Sequence, residues 1–315
     1  MSEKYETIVP SEPDAGERLQ WVSWLRSAAP YVHLHHGRTF VISFAGEVVA
    51  DKTLLNHLVM DVSLIASMGM RVVLVHGSRP QIEELMSLRK LEGQFYKGVR
   101  ITGPQELECV KEACGETRFD IEAAFSQGLP NTPMQHSRIK VVSGNFVTAR
   151  PMGIIDGVDY LHTGVVRKVD AESIQDLLSR GNIVLVSPTG FSPTGEAFNL
   201  TTEDVATAIA VAIHADKLIL SVGVDGVRIQ GEKQQDLTAQ QAQALIQSKQ
   251  VDDEDVYNLG YALRAIKGGV DRVHIVPYAM DGGILTELFT HDGVGTMIST
   301  ENMESLREAT IDDVA

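Results

Sequence analysis

The stretch from Thr39 to Glu84 constrains the fold most. Its apolar run from Phe40 to Phe44 meets a small-residue turn, Ala45-Gly46. A helical pattern follows, with Leu54, Leu58, Val62 and Ile65 on one stripe. A second apolar run, Arg71 to Val75, ends in the turn His76-Gly77-Ser78-Arg79, and another helix begins near Pro80. Strand, helix, strand, helix in about 45 residues is a parallel crossover unit, because parallel neighbours must be joined by a long connection. Ligands of such sheets sit beyond the carboxyl ends of the strands. Those ends are here two small-residue turns, expected to face one crevice.

The rest of the chain repeats the style. Strands are predicted over 139–143, 147–151, 165–169, 183–187, 217–222 and 272–276, with helices over 105–126, 171–179, 238–248 and 263–267. Thr201 with Asp204 three residues on reads as a capping box, opening a helix with Val205, Ile209 and Ile213 on its buried stripe. Residues 144–164, rich in Gly, Asp and aromatics, are expected to form a flap or lid. Residues 188–196 have the small residues of a binding loop. The expectation is an α/β fold, with one mainly parallel central sheet and helices on both faces, rather than two separate domains.

At 315 residues with 43% hydrophobic content, the chain can bury a full core. A net charge of −15 argues against nucleic acid or an anionic membrane as partner, since both select a basic face. No apolar run approaches about 18 residues and no leader is legible, so a cytoplasmic protein is expected. Cys109 and Cys114, five apart on one helix, point to different faces and read as free thiols.

Residues 1–16 carry no apolar period and are expected to be a disordered tail. A short amphipathic helix is predicted over 17–29, stopped by Pro30, with Trp21 and Trp24 beside its stripe. Those tryptophans suggest docking, either onto the chain's own domain or by exchange between subunits. His33, His35 and His36 lack a clear carboxylate or cysteine partner, so no metal site is predicted. Tyr31 by itself reads as a partly buried aromatic.

Val41-Ile42-Ser43-Phe44-Ala45-Gly46 and Val75-His76-Gly77-Ser78-Arg79 resemble the V-I-K-[FLY]-G-G and V-V-H-G-G-G motifs of the amino-acid kinase fold. The resemblance is to the branch holding N-acetylglutamate kinase and N-acetylglutamate synthase. It implies a crevice formed by Ser43, Gly46, Gly77, Arg79, Arg100, Asn199, Glu203 and Asn258. Arg100 falls where the kinase holds the carboxylate of N-acetylglutamate; a surface arginine bonding a local carbonyl is the other reading. The block from Asp281 to Ile298 resembles the arginine-site signature of the family, with Glu287 on a short helix, then Gly293-Val-Gly295-Thr296 before an edge strand. Ala29-Pro30-Tyr31-Val32 matches the segment whose tyrosine helps bind L-arginine in arginine-sensitive members. The resemblance therefore implies an arginine site of Tyr31, Glu287, Gly293, Gly295 and Thr296. An ordinary turn into an edge strand is the alternative for the glycine block.

Phosphoryl transfer needs fixed cations around the phosphates. Of the kinase's two lysines, one falls on Ser43 and the other near Asn258, while its organising aspartate falls on Glu203, next to Asp204. The crevice therefore reads as a kinase relic, although Arg79 could replace a lost lysine. Kinase-like but without the lysines, and with the arginine signature, the chain resembles the kinase-like domain of the N-acetylglutamate synthases. In that family a C-terminal GNAT domain transfers acetyl from acetyl-CoA to L-glutamate. Residues 301–315 resemble a linker and the opening of that domain, and its [RQ]-x-x-G-x-[GA] loop occurs nowhere in the sequence. The implied reading is an arginine-binding regulatory module, inactive alone and homo-oligomeric. It has no cofactor of its own, and acetyl-CoA is the substrate of the missing half. An active N-acetylglutamate kinase and an oligomerisation scaffold are the competing readings.

Overall fold

A computed structural model describes residues 15–127 and 139–300. Residues 1–14 of the tail expected over 1–16, and the segment compared with a GNAT domain, 301–315, lie outside the described residues.

Eight strands form the central sheet. In chain order they are β1 (Thr39–Phe44), β2 (Arg71–His76), β3 (Val141–Ser143), β4 (Ile183–Val186), β5 (Lys217–Val222), β6 (Asp236–Thr238), β7 (Arg272–Pro277) and β8 (Thr296–Ser299). Their spatial order is β6-β8-β7-β5-β1-β2-β4-β3. Every pairing is parallel except β7 with β8. The expected edge strand after Thr296 is therefore one place in from the edge, because β6 pairs outside it.

The helices are α1 (Ala15–His35), α2 (Gly46–Ala50), α3 (Lys52–Ser67), α4 (Arg79–Leu88), α5 (Pro104–Ser126), α6 (Ala171–Ser179), α7 (Thr202–Ala212), α8 (Ala239–Ser248), α9 (Asp253–Lys267) and α10 (Gly283–Phe289). Alternation along the strands divides their side chains between two cores. Val41, Val73, Val75, Val184, Leu218, Leu220 and Ile275 face α6 to α9. Phe40, Ile42, Phe44, Leu74, Leu185 and Ile219 face α3, α5 and α10. Each such side chain contributes about 1.5–3 kcal/mol by leaving water, which fixes the strands before any site chemistry enters.

Local signals explain most boundaries. Asp51 accepts from Thr53 N and Leu54 N to open α3, and Thr238 with Gln241 forms a full capping box on α8. The expected box at Thr201 is absent. Asp204 instead accepts from Val166 N at 3.0 Å and pairs with Arg264 at 2.6 Å, tying α7 to its neighbours. The helix expected over 263–267 starts ten residues earlier, at Asp253, where Asp252 caps Asp255 N and an acidic first turn suits the helix dipole.

α1 begins inside the expected tail and runs through Pro30. Its last turns are held by tertiary packing. His35 Nε2 donates to Leu288 O at 3.0 Å and makes edge contacts with Phe40 and Phe289. That packing outweighs the helix hydrogen bond that a proline removes. The first half of α1 does not dock on its own domain, since Trp21 is 62% and Trp24 52% exposed.

A second sheet joins Ala197–Asn199, Thr189–Phe191, Val147–Pro151 and Gly164–Val169 in that order. It absorbs much of the expected lid and binding loop. Cys109 and Cys114 are free and both buried in one cluster between α4 and α5, so their different helix faces do not separate them. His36 Nδ1 donates to Met68 O at 3.0 Å. Among the described residues, no group of three or more His, Cys, Asp or Glu could hold a metal ion.

Candidate functional site

The carboxyl ends of β1, β2, β4 and β5 open into one cleft of about 900 Å³. Its floor is where the two glycine turns touch. Gly77 N donates to Phe44 O at 2.7 Å, and a Cβ on Gly77 would lie 2.8 Å from Gly46 N. A side chain on that turn would force the two turns apart. Seven of the eight residues predicted for the crevice line it: Gly46, Gly77, Arg79, Arg100, Asn199, Glu203 and Asn258. Ser43 is not among the lining residues; it lies in β1 and is only 3% exposed.

The cleft has two unlike halves. One is basic. Arg79 and Arg100 share Glu83 at 3.1 Å each, and their guanidinium carbons lie 5.5 and 4.6 Å from the Phe95 ring centroid. Arg100 is not a surface arginine. It is 8% exposed and bonds a carboxylate and Met86 Sδ rather than a local carbonyl. Asn199 donates to Thr102 Oγ1 at 3.0 Å.

The other half is formed by the starts of α7 and α9, whose lining residues are Thr202, Glu203, Asp253, Glu254, Tyr257 and Asn258, with no lysine or arginine. Burial pushes the Glu203 carboxyl up, against the pull of Tyr257 Oη, which donates to it at 3.1 Å. Asn258 is 3% exposed and its Nδ2 has no hydrogen-bond partner among the described residues. A polyphosphate here would meet carboxylates where catalysis calls for cations.

A second cluster lies around α10. The Glu287 side chain is 5% exposed. Its Oε1 accepts from His274 Nδ1 at 2.7 Å, and its Oε2 accepts from Val294 N at 2.8 Å and Gly295 N at 2.9 Å. Burial works against the ionised form, but His274 and the two amides outweigh it and hold the carboxyl below its usual range. Burial and the neighbouring Lys217 keep His274 neutral. Its Nε2 therefore accepts from Lys217 Nζ at 3.0 Å. Burial pushes the Lys217 ammonium down to about 7. The result is a one-way chain of donors, Lys217 to His274 to Glu287.

The glycines of this block fit their places. Gly293 has φ +61°, and a Cβ on Gly295 would overlap the Ile275 carbonyl oxygen. Thr296 is fully buried, donating to Gln234 O and accepting from Val227 N at 2.9 Å, so its hydroxyl serves the fold. Tyr31 packs at the edge of the same core as Leu288 and Phe289, one turn before His35.

Sequence reasoning missed Lys217 and His274, which belong to no motif. Their signal was available: a lysine and a histidine within strand runs that a buried parallel sheet should keep apolar.

The model of the amino acid kinase family matches residues 38–277. An amino-acid acetyltransferase of Ralstonia nicotianae is 55% identical over 303 residues, which are 96% of this chain and 67% of that protein. A crystal structure of N-acetylglutamate synthase from Neisseria gonorrhoeae, complexed with coenzyme A and L-arginine, superposes with a TM-score of 0.85 at 35% identity. That match covers 93% of this chain and 69% of the other. A carbamate kinase from Giardia lamblia bound to AMP-PNP, 14% identical with a TM-score of 0.65 over 84% of this chain and 99% of that one, shares the fold.

Proposed function

Since the chain belongs to the amino acid kinase family, as the kinase-like domain of an amino-acid acetyltransferase, we propose that it is the L-arginine-sensing regulatory domain of an N-acetylglutamate synthase. Acetyl transfer from acetyl-CoA to L-glutamate is then the work of another part of the protein, and this chain alone is inactive. The observation that carries the reading is the packing of α1 on α10. It unites the helix of Tyr31 with the helix of Glu287, two positions far apart in sequence that the arginine signature needs together.

The chemistry suits a guanidinium or ammonium ligand. A carboxylate offers about four lone-pair directions, and Glu287 uses three. It is held ionised, which favours a charge-assisted bond to a cation. The exposed tryptophans of α1 support helix exchange between copies, hence a homo-oligomer. The free thiols Cys109 and Cys114 fit a cytoplasmic setting, and no helix among the described residues is long and apolar enough to cross a membrane.

The active-kinase reading draws on one observation, the intact cleft with Arg79 at its basic half. Calorimetric titration separates the two. Saturable binding of L-arginine with no response to ATP–Mg²⁺ plus N-acetylglutamate is the expected result. Nucleotide binding followed by ADP release would replace the regulatory reading with a kinase. Silence in both runs would favour a scaffold.

A further inference from the structure

The α7–α9 half of the cleft holds donors as well as carboxylates. Thr201, Thr202 and Glu203 line the cleft, so the start of α7 opens into it. That start has no side-chain cap. The N-cap residue is Thr201, but its hydroxyl meets Tyr261 Oη at 3.2 Å and leaves the first amides alone. Asn258 lines the same cleft from α9, is 3% exposed, and has an Nδ2 without a hydrogen-bond partner among the described residues. A buried amide donor is costly until something supplies its acceptor. Beside these donors stand the carboxyls of Glu203, Asp253 and Glu254. In the other half, Arg79 and Arg100 share the single carboxylate of Glu83, so among these side chains cations exceed anions. The charge of Arg79 reaches Glu203, which makes the two halves one site.

We propose that the cleft binds a free acidic amino acid, with its ammonium group among Glu203, Asp253 and Glu254, its α-carboxylate on Asn258 Nδ2 and the first amides of α7, and its side-chain carboxylate toward Arg79 and Arg100. The inference goes beyond the regulatory reading above and stands on the cleft alone, whether or not arginine binds at α10.

Elimination carries it. A polyphosphate would set its charge against three carboxylates. A simple organic cation would pair with those carboxylates and leave Asn258 Nδ2 and the α7 amides without an acceptor. A dicarboxylate with no amine would answer the donors and leave the acids without a cation. An N-acylated amino acid replaces the ammonium group by a neutral amide with one N–H, too few donors and no charge for this wall. An ammonium group and a carboxylate on one carbon answer the neighbouring acceptors and donors together, and a second carboxylate answers the arginines.

Calorimetry of this chain with L-glutamate, L-aspartate, N-acetyl-L-glutamate and glutarate tests the proposal. Saturable binding of L-glutamate or L-aspartate is expected. N-acetyl-L-glutamate and glutarate are expected to bind at least about tenfold more weakly, the scale of one lost charge-assisted bond. No saturable binding of either free amino acid overturns the proposal. Equal affinity for L-glutamate and N-acetyl-L-glutamate also overturns it, because the ammonium group would then count for nothing. Glu203→Gln removes one anion at nearly constant volume. It should weaken L-glutamate by about tenfold, leave glutarate within about threefold, and so narrow the gap between them. If its circular dichroism differs from that of the wild type, Glu254→Gln, at an exposed position, takes its place with the same expectation. A folded variant that discriminates L-glutamate from glutarate as well as the wild type does refutes the placement of the ammonium group.

Discussion

Glu287→Gln tests the α10 cluster without changing its volume. In the wild type the proton order runs from Lys217 Nζ through His274 to Glu287 Oε1. Glutamine can keep its carbonyl oxygen on the amides of Val294 and Gly295. Its NH₂ then faces His274 Nδ1–H, donor against donor. His274 can respond only by moving its proton to Nε2, where Lys217 already donates. One charge-assisted bond must be lost, at about 1.5–3 kcal/mol. Lys217 also loses an anion that helps keep it protonated. Together these cost about 3 kcal/mol, and at about 2–4 °C per kcal/mol the melting temperature should fall by roughly 6–12 °C. Arginine affinity should fall by about 10- to 150-fold, as expected for one charge-assisted contact. Thermal melting and calorimetry at pH 7.5 read the two effects. A variant that melts within about 2 °C of wild type and binds arginine within about threefold would refute both the donor chain and the ligand assignment. Glu287→Ala is a harsher change. It leaves two buried amides unsatisfied, at about 1–3 kcal/mol each, so lost binding in that variant could reflect a disordered loop.

Tyr31→Ala should weaken arginine binding less, about tenfold, because Tyr31 meets the cluster through packing at the core edge and holds none of its hydrogen bonds; calorimetry showing a larger loss than in Glu287→Gln would reverse that ranking. Ser43→Lys alone should give no ATP-dependent phosphorylation in a coupled ADP assay, since Asn258 still stands where the second cation is needed and the α7–α9 half stays acidic. Measurable turnover would end the relic argument. Acid should destabilise the fold between pH 6.5 and 4. Burial pushes both His35 and His76 down to about 4, so across this window the unfolded chain binds protons that the native one refuses. Asp61, pushed up to about 7, works in the opposite direction as pH falls and offsets one of these protons. His274 is lowered in the same way and adds to the loss, while the raised carboxyls of Glu203, Asp236 and Asp255 oppose it near the lower end of the window, so the net effect is a loss of stability as pH falls. Chemical denaturation at several pH values checks this, and a flat profile would contradict it.

The sheet was legible because its strands are nearly pure apolar runs closed by small residues. Runs such as Lys217 to Val222 and the helix 171–179 match their observed bounds. The crevice was legible because its glycines sit at strand ends. What escaped was set by contacts distant in sequence. Pro30 forecasts a helix end only if nothing else holds the next turn, and Leu288 holds it. Thr201 and Asp204 have capping-box spacing, but Val166 and Arg264 claim the carboxylate. The start of α9 hid in a polar stretch because its acidic first turn reads as a solvated run until Asp252 is seen to cap it. The burial of Glu287 depends on His274 and two loop amides, none of which its own segment forecasts.

The two sites differ in how far the fold depends on them. Apart from Arg100, which lies in the short strand Val99–Ile101, the cleft's charged residues sit in turns and at helix starts. Exchanging a lysine for Asn258 or Ser43 removes phosphate chemistry and leaves the sheet's apolar contacts in place. The α10 cluster is built into the sheet. Lys217 opens β5, His274 lies within β7, and Gly295 approaches the Ile275 carbonyl closely. Glu287 neutralises the donors that these strands bury, so losing it costs stability as well as ligand. Activity in the cleft can therefore drift while the fold survives, whereas the α10 site is held by the same interactions that hold β5, β7 and β8 together. Substitutions in the cleft should change the melting temperature little, and substitutions at Lys217, His274 or Glu287 should lower it together with arginine affinity. If the two groups behaved alike in thermal melts, this separation of site from scaffold would be wrong.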